Sequence, residues 1–125
     1  MWQKIAWLAA AGALGTLTRY WLGGVAQRWS QSAFPWGTLT VNATGCLLFG
    51  LVWAAAEERA LLSTETRSIV LIGFMGALTT FSTYVFESGQ MMRESEWLLA
   101  GGNFVAQNIV GLFCLYLGTV LARLV

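Results

Sequence analysis

Charged residues divide this chain into long neutral runs. Residues 5–18 carry no charge, Arg19 interrupts, and residues 20–27 are neutral again. Neutral stretches of 28, 19 and 26 residues follow at 29–56, 68–86 and 97–122. A helix needs about 20 residues to cross the hydrocarbon layer of a bilayer. The pattern therefore predicts four spans, at Ile5–Val25, Trp36–Ala56, Thr66–Ser88 and Trp97–Ala122, and leaves no room for a fifth. The expected connections are Ala26–Phe34, the polar loop Glu57–Arg67 and a third loop, Gly89–Glu96. Pro35 sits where a helix can begin, and Ser63-Thr64-Glu65-Thr66 reads as an N-cap and first turn. The alternating strands of a membrane barrel are absent. The first segment resembles a secretory signal, but it runs on past Arg19 without a convincing cleavage site and is read as a mature span. The expectation is a single four-helix transmembrane domain over residues 1–125.

Composition supports a membrane protein. The chain is 57% hydrophobic and 10% charged, against about 25% charged in soluble domains. A net charge of +1 excludes an electrostatic nucleic-acid binder. Cys46 and Cys114 fall inside spans, where free thiols behave as small apolar groups, so no disulfide is expected. There is no histidine, and no acid, base and nucleophile set suggests an enzyme. Trp2, Trp7, Trp29, Trp36, Trp53 and Trp97 lie near span ends, as interfacial anchors do. Most of the 14 glycines are expected to serve close helix packing.

Charge also bears on orientation. Lys4, Arg59, Arg67 and Arg123 fall on one side, Arg28 and Arg93 on the other, with Arg19 joining them if it snorkels. So weak a bias suits insertion in both orientations, and two opposed copies can then pair. A lone unit of four thin helices leaves little interior for a pathway, which also argues for an oligomer.

Three polar constellations lie within the spans. In Gly73-Phe-Met-Gly76-Ala-Leu-Thr79-Thr80-Phe81-Ser82-Thr83-Tyr84, five hydroxyl residues fill six positions. Such side chains compete for backbone hydrogen bonds and glycine is a poor helix former, so the run predicts a helix break at mid-membrane. Freed carbonyls there can bind a cation. The other reading is an intact helix whose hydroxyls bond back one turn. Asn42, about two turns into the second span, is either glue between helices or a donor to an anion. Arg19 either snorkels from a span end or helps to draw an anion. In the fourth span, Asn108 and Tyr116 share one face, and Asn103 and Gln107 form another stripe. Glu87 is a headgroup-level charge or a gate near a vestibule. No carboxylate lies deep in the first, second or fourth span. That weighs against a proton-coupled cation exporter like the small multidrug-resistance transporters, which share the length and span number but depend on a first-span glutamate.

At these residues the chain resembles the Fluc family of fluoride channels, also called CrcB proteins. Gly12, Gly15, Arg19 and Tyr20 meet a GxxGxxxRY pattern. Gly37, Thr38, Leu39, Val41, Asn42 and Gly45 meet GTLxVNxxG. Gly73, Gly76, Thr79, Thr80, Phe81, Ser82 and Thr83 meet GxxGxxTTFSTF, with Tyr84 at its last position. Asn108 and Gly111 meet NxxG, and Glu87 falls where the family often has a glutamate. The resemblance implies an all-α membrane protein with four transmembrane helices, broken in the third. It implies an antiparallel dual-topology homodimer in the bacterial inner membrane, with two passive pores that export fluoride and relieve its toxicity. A structural sodium ion would sit centrally, held by main-chain oxygens of Gly76 and Thr79 of both copies. The pore would be lined by Asn42, Phe81, Ser82, Thr83, Tyr84, Asn108 and Tyr116, with Arg19 and Glu87 serving anion attraction or a vestibule. The partners implied are a second copy, fluoride and lipid, and no nucleic acid. Two departures stand out: Tyr84 replaces a phenylalanine, and Leu112 lies where relatives often have a serine.

Overall fold

The computed structural model of the protein describes residues 2–59 and 62–124, and of Glu58 and Arg59 only the backbone. Part of the expected loop at 57–67, and the Arg59 charge used in the orientation count, lie outside the described residues. The described chain is all-helical, with no strand. Helix α1 spans Trp2–Ser30 and α2 spans Trp36–Arg59. A third helical run, Thr64–Arg93, is composite. It comprises α3 (Thr64–Ser68), a π-helical segment (Ile69–Met75), α4 (Gly76–Leu78) and α5 (Phe81–Arg93). Helix α6 spans Trp97–Leu124. By length and composition, three stretches are able to cross a membrane: Trp36–Glu57, Thr64–Arg93 and Trp97–Leu124. The 29 residues of α1 are long enough, at about 1.5 Å rise per residue, but its composition is less apolar.

Several helix ends differ from the sequence expectation, because caps rather than charges decide where a helix stops. Helix α1 runs on to Ser30, through most of the connection expected at Ala26–Phe34. Its last polar side chains fold back on its own carbonyls: Arg28 Nε donates to Gly24 O (3.1 Å) and Ser30 Oγ to Gln27 O (3.0 Å). Gln31, at φ 46°, then turns the chain through the left-handed region, a strained conformation for a residue with a side chain. Gln27 ties the short connection together. Its Nε2 donates to Ser32 O (2.9 Å) and Phe34 O (3.2 Å), and its Oε1 accepts from Gly37 N (3.0 Å). Helix α5 likewise absorbs Gly89 and continues to Arg93, so the loop expected at Gly89–Glu96 shrinks to Glu94–Glu96. The expected cap at Ser63 is present: its Oγ accepts from Thr66 N (3.1 Å). Nearby, the Arg67 guanidinium lies 3.9 Å from the Trp53 ring centroid and pairs with Glu57, fastening α3 to the end of α2.

Helices α2 and α6 share the largest interface. A methyl group at Gly118 would run into the Leu47 carbonyl oxygen and come 2.9 Å from Leu51 N; at Gly50 it would run into Leu115 O. Both helices thus meet backbone to backbone, as small residues permit in lipid. The third run changes partner along its length. Its π segment and α4 pack on α1, whereas α5 packs on α6. Leu71, Met75 and Leu78 form a buried cluster against Leu48, Val52, Val70 and Phe74. Helix α6 buries Ala100, Asn103, Gly111, Gly118 and Ala122, and leaves Phe104, Ile109, Phe113 and Tyr116 exposed.

Packing at Gly118 is testable. Gly118→Ala should lower the thermal unfolding midpoint in lipid nanodiscs, because overpacking costs about 1–3 kcal/mol and backbone cannot give way. Gly101, also in α6, has nothing within 4 Å of such a methyl, so Gly101→Ala should leave the midpoint unchanged or raise it. Equal midpoints for the two variants would contradict the α2–α6 contact.

Candidate functional site

The helical ladder of the third run stops at two threonines. Thr79 (φ −81°, ψ 157°) and Thr80 (φ −148°, ψ 111°) are extended, between α4 and α5. Each supplies local replacements for the missing helical bonds. Thr79 N and Oγ1 both donate to Met75 O at 3.0 Å, closing the end of α4. Thr80 Oγ1 caps α5 by accepting from Thr83 N (3.2 Å), and also donates to Thr83 Oγ1 (2.9 Å). This is the service that a threonine N-cap performs for the unpaired amides of a helix start.

Asn42 supplies the rest from α2. Its Oδ1 accepts from Thr80 N at 2.8 Å and its Nδ2 donates to Thr80 O at 3.2 Å. The side-chain amide therefore pairs with the Thr80 backbone as a neighbouring strand would. Nδ2 also donates to Gln107 Oε1 on α6 at 3.0 Å. Both N–H groups of Asn42 are thus used within the chain. With Thr80 N turned to Asn42, the Gly76 carbonyl lacks the amide that a continuous helix would give it. Gly45, one turn beyond Asn42, is needed for this approach: a methyl group there would run into Thr79 Cγ2.

Two cavities flank the interruption. One, of about 360 Å³, is lined by Asn42, Gly76, Thr79, Phe81, Tyr84 and Asn108, among others. The Phe81 and Tyr84 rings meet edge to face, with centroids 5.6 Å apart and planes at 65°. Phe81 is 76% exposed and Tyr84 only 9%. Asn108 Nδ2 donates back to Phe104 O (2.7 Å). The other cavity, of about 620 Å³, lies between α1, α2 and α5 and brings together Arg19, Tyr20, Thr38, Thr83 and Glu87. Thr38 Oγ1 donates to Glu87 Oε1 at 2.8 Å, while Glu87 Oε2 is buried without a hydrogen-bond partner. No ion pair joins Arg19 to Glu87. Thr80 lines both cavities. Ser82 and Tyr116 are exposed and line neither. Among the described residues, no cluster of three or more His, Cys, Asp or Glu side chains could hold a metal.

Sequence reasoning passed over Thr38 as a partner of Glu87 and Gln107 as a partner of Asn42. The second had a signal, since Gln107 and Asn103 are four residues apart on α6. The first had none, because Thr38 and Glu87 are 49 residues apart.

Comparison with known proteins places the chain. A family model described as CrcB-like protein, Camphor Resistance (CrcB), matches residues 6–119. A protein of Nitrosococcus oceani is 55% identical over 125 residues, covering 100% of both chains. Proteins of Solidesulfovibrio magneticus and Desulforapulum autotrophicum are 50% and 47% identical, again over 100% of both chains. All three relatives are named fluoride-specific ion channel FluC. With three stretches able to cross a bilayer, this is a multi-pass membrane protein, and by its match over residues 6–119 it belongs to the CrcB-like family.

Proposed function

We propose that the chain is a fluoride-selective passive channel that lets a bacterial cell shed the ion across its inner membrane. The observation that carries the reading is the convergence of an interrupted helix, an aromatic edge pair and three side-chain amides on one cavity. Full-length relatives named as fluoride-specific channels support it.

Fluoride holds its water tightly, so a dry path must offer replacement donors and positive edges. At the break, α5 starts with backbone N–H groups that no preceding turn can satisfy, and the positive end of the helix dipole adds to them. The hydrogens on the edges of Phe81 and Tyr84 are weakly electropositive. Ser82, Thr83, Asn108 and Tyr116 would add hydroxyl and amide donors. Asn42, whose N–H groups are engaged by Thr80 and Gln107, would hold the break in place, and Arg19 and Glu87 would set the field in the wider cavity, which would serve as the vestibule. Closely spaced weak sites let an ion enter and leave.

The working unit in this reading is an antiparallel, dual-topology homodimer with four spans per copy, α1 included, two pores, and the Thr79–Thr80 interruption at mid-membrane. The exposed apolar face of α6 supports a covering partner, and the weak charge bias supports opposed insertion. Main-chain oxygens of Gly76 and Thr79, in the cavity where the ladder stops, are the donors a central sodium ion would take from each copy. Such an ion, when bound, would add fixed positive potential without occupying a pore. The proton-coupled exporter has no observation in its favour, since α1 carries no carboxylate.

Liposomes holding the purified protein should lose fluoride while retaining chloride, as read by ion-selective electrodes. Proton-coupled dye efflux without fluoride loss would overturn the assignment. Phe81→Ile should cut fluoride efflux by about tenfold or more, equivalent to at least about 1.4 kcal/mol on the barrier, with cross-linked dimer unchanged. Efflux at the parent rate would remove Phe81 from the pore. Tyr84→Phe combined with Leu112→Ser should raise efflux, and an unchanged rate would show that neither residue limits conduction.

A further inference from the structure

Asn103 is the one polar residue of α6 that is wholly buried, at 0% exposure. A buried amide needs partners, and its partners form a chain. Asn103 Nδ2 donates to Ser88 Oγ at 2.9 Å, and Ser88 Oγ donates to Tyr84 O at 2.9 Å. On the other side, Gln107 Nε2 donates to Asn103 Oδ1 at 3.4 Å, and Gln107 Oε1 accepts from Asn42 Nδ2 at 3.0 Å. Asn42 then holds the Thr80 backbone. The chain leaves α5 at Tyr84, passes through α6 and α2, and returns to the residue just before α5.

The direction of every link is determined from both ends. Thr80 N can only donate, so Asn42 must turn Oδ1 to it and Nδ2 to Gln107. Gln107 must then offer its oxygen to Asn42 and its nitrogen to Asn103. Asn103 must turn its nitrogen to Ser88, whose single proton is thereby sent to the Tyr84 carbonyl. Starting from Tyr84 O, which can only accept, gives the same sequence in reverse. Reversing Gln107 or Asn103 would set like against like at two links, and reversing Asn42 at three.

We infer that Gln107, Asn103 and Ser88 are positioning residues, a one-way amide relay that braces Asn42 in the orientation the Thr80 backbone requires and so helps to hold Thr80 out of the helix. Without it, the Asn42 amide is held by Thr80 alone, and any turn of the amide costs both of its bonds to the Thr80 backbone. Phe81 and Tyr84 begin the helix that Thr80 caps, so their edge pair depends on the same relay. The consequence for flux rests on the fluoride reading. The effect on Thr80 does not.

The test is amide hydrogen exchange, resolved to single residues, on the full-length protein in lipid nanodiscs. Gln107→Met keeps the length of the side chain and removes both polar ends. Ser88→Ala acts from the far end of the relay. Both should speed exchange at Thr80 several-fold, with exchange across the α2–α6 interface at Leu47, Leu51 and Leu115 unchanged. Gln107→Glu, which keeps the acceptor for Asn42, should have a smaller effect than Gln107→Met. In an Asn42→Ala background, Gln107→Met should add nothing further at Thr80, because it acts through Asn42. Unchanged Thr80 exchange in Gln107→Met, equal acceleration throughout the bundle, or an additive effect on Asn42→Ala would each overturn the relay. Fluoride efflux from the same parent protein reads the proposed function separately: no efflux with the exchange pattern intact would sink the channel and keep the relay.

Discussion

Two hydrogen bonds between the Asn42 side chain and the Thr80 backbone hold the architecture of this protein together. An interrupted helix in lipid leaves donors and acceptors that water cannot satisfy, and each costs several kcal/mol if left bare. A primary amide offers the donor and acceptor that an extended residue presents. Asn42 meets that need from a neighbouring helix, and Thr79 and Thr80 cap the two broken ends with their own hydroxyls. The interruption is thus a satisfied structure with defined partners.

The rest of the fold can be ordered around that point. The third run leans on α1 before the interruption and on α6 after it, and a straight helix would have to choose one. Gly45 lets Thr79 come close to α2, and Gly50 and Gly118 let α6 come close enough for Gln107 to reach Asn42. The small residues of two helices therefore serve a single polar junction. Exposed beside it are Phe81 and a largely open face of α6, a surface that suits the second copy of the proposed dimer.

Much of this was legible in the sequence, at the level where one strong force decides. Gaps between charges located the long helical stretches, because a charge in hydrocarbon is costly. Their ends were not legible, since Ser30, Gln31 and Arg93 stop or extend helices through local hydrogen bonds and backbone angles that no hydropathy pattern encodes. The π segment at Ile69–Met75 was also unseen. It lies in an apolar stretch where α and π turns bury similar surface. Asn42 stood out as an intramembrane amide, but its partner Thr80 is 38 residues away and Gln107 is 65 away. Such pairings belong to tertiary packing. The family motifs narrowed the field, because they marked Asn42 and the Gly73–Tyr84 stretch together.

The claim on which the account rests is that Thr79 and Thr80 stay extended in a bilayer. Carbon chemical shifts of these two residues, from solid-state NMR of the labelled protein in lipid, read that backbone directly. Shifts of Cα and Cβ in the extended range at both positions, flanked by helical values at Leu78 and Tyr84, are the predicted result. Helical shifts running unbroken from Leu78 to Tyr84 would contradict it.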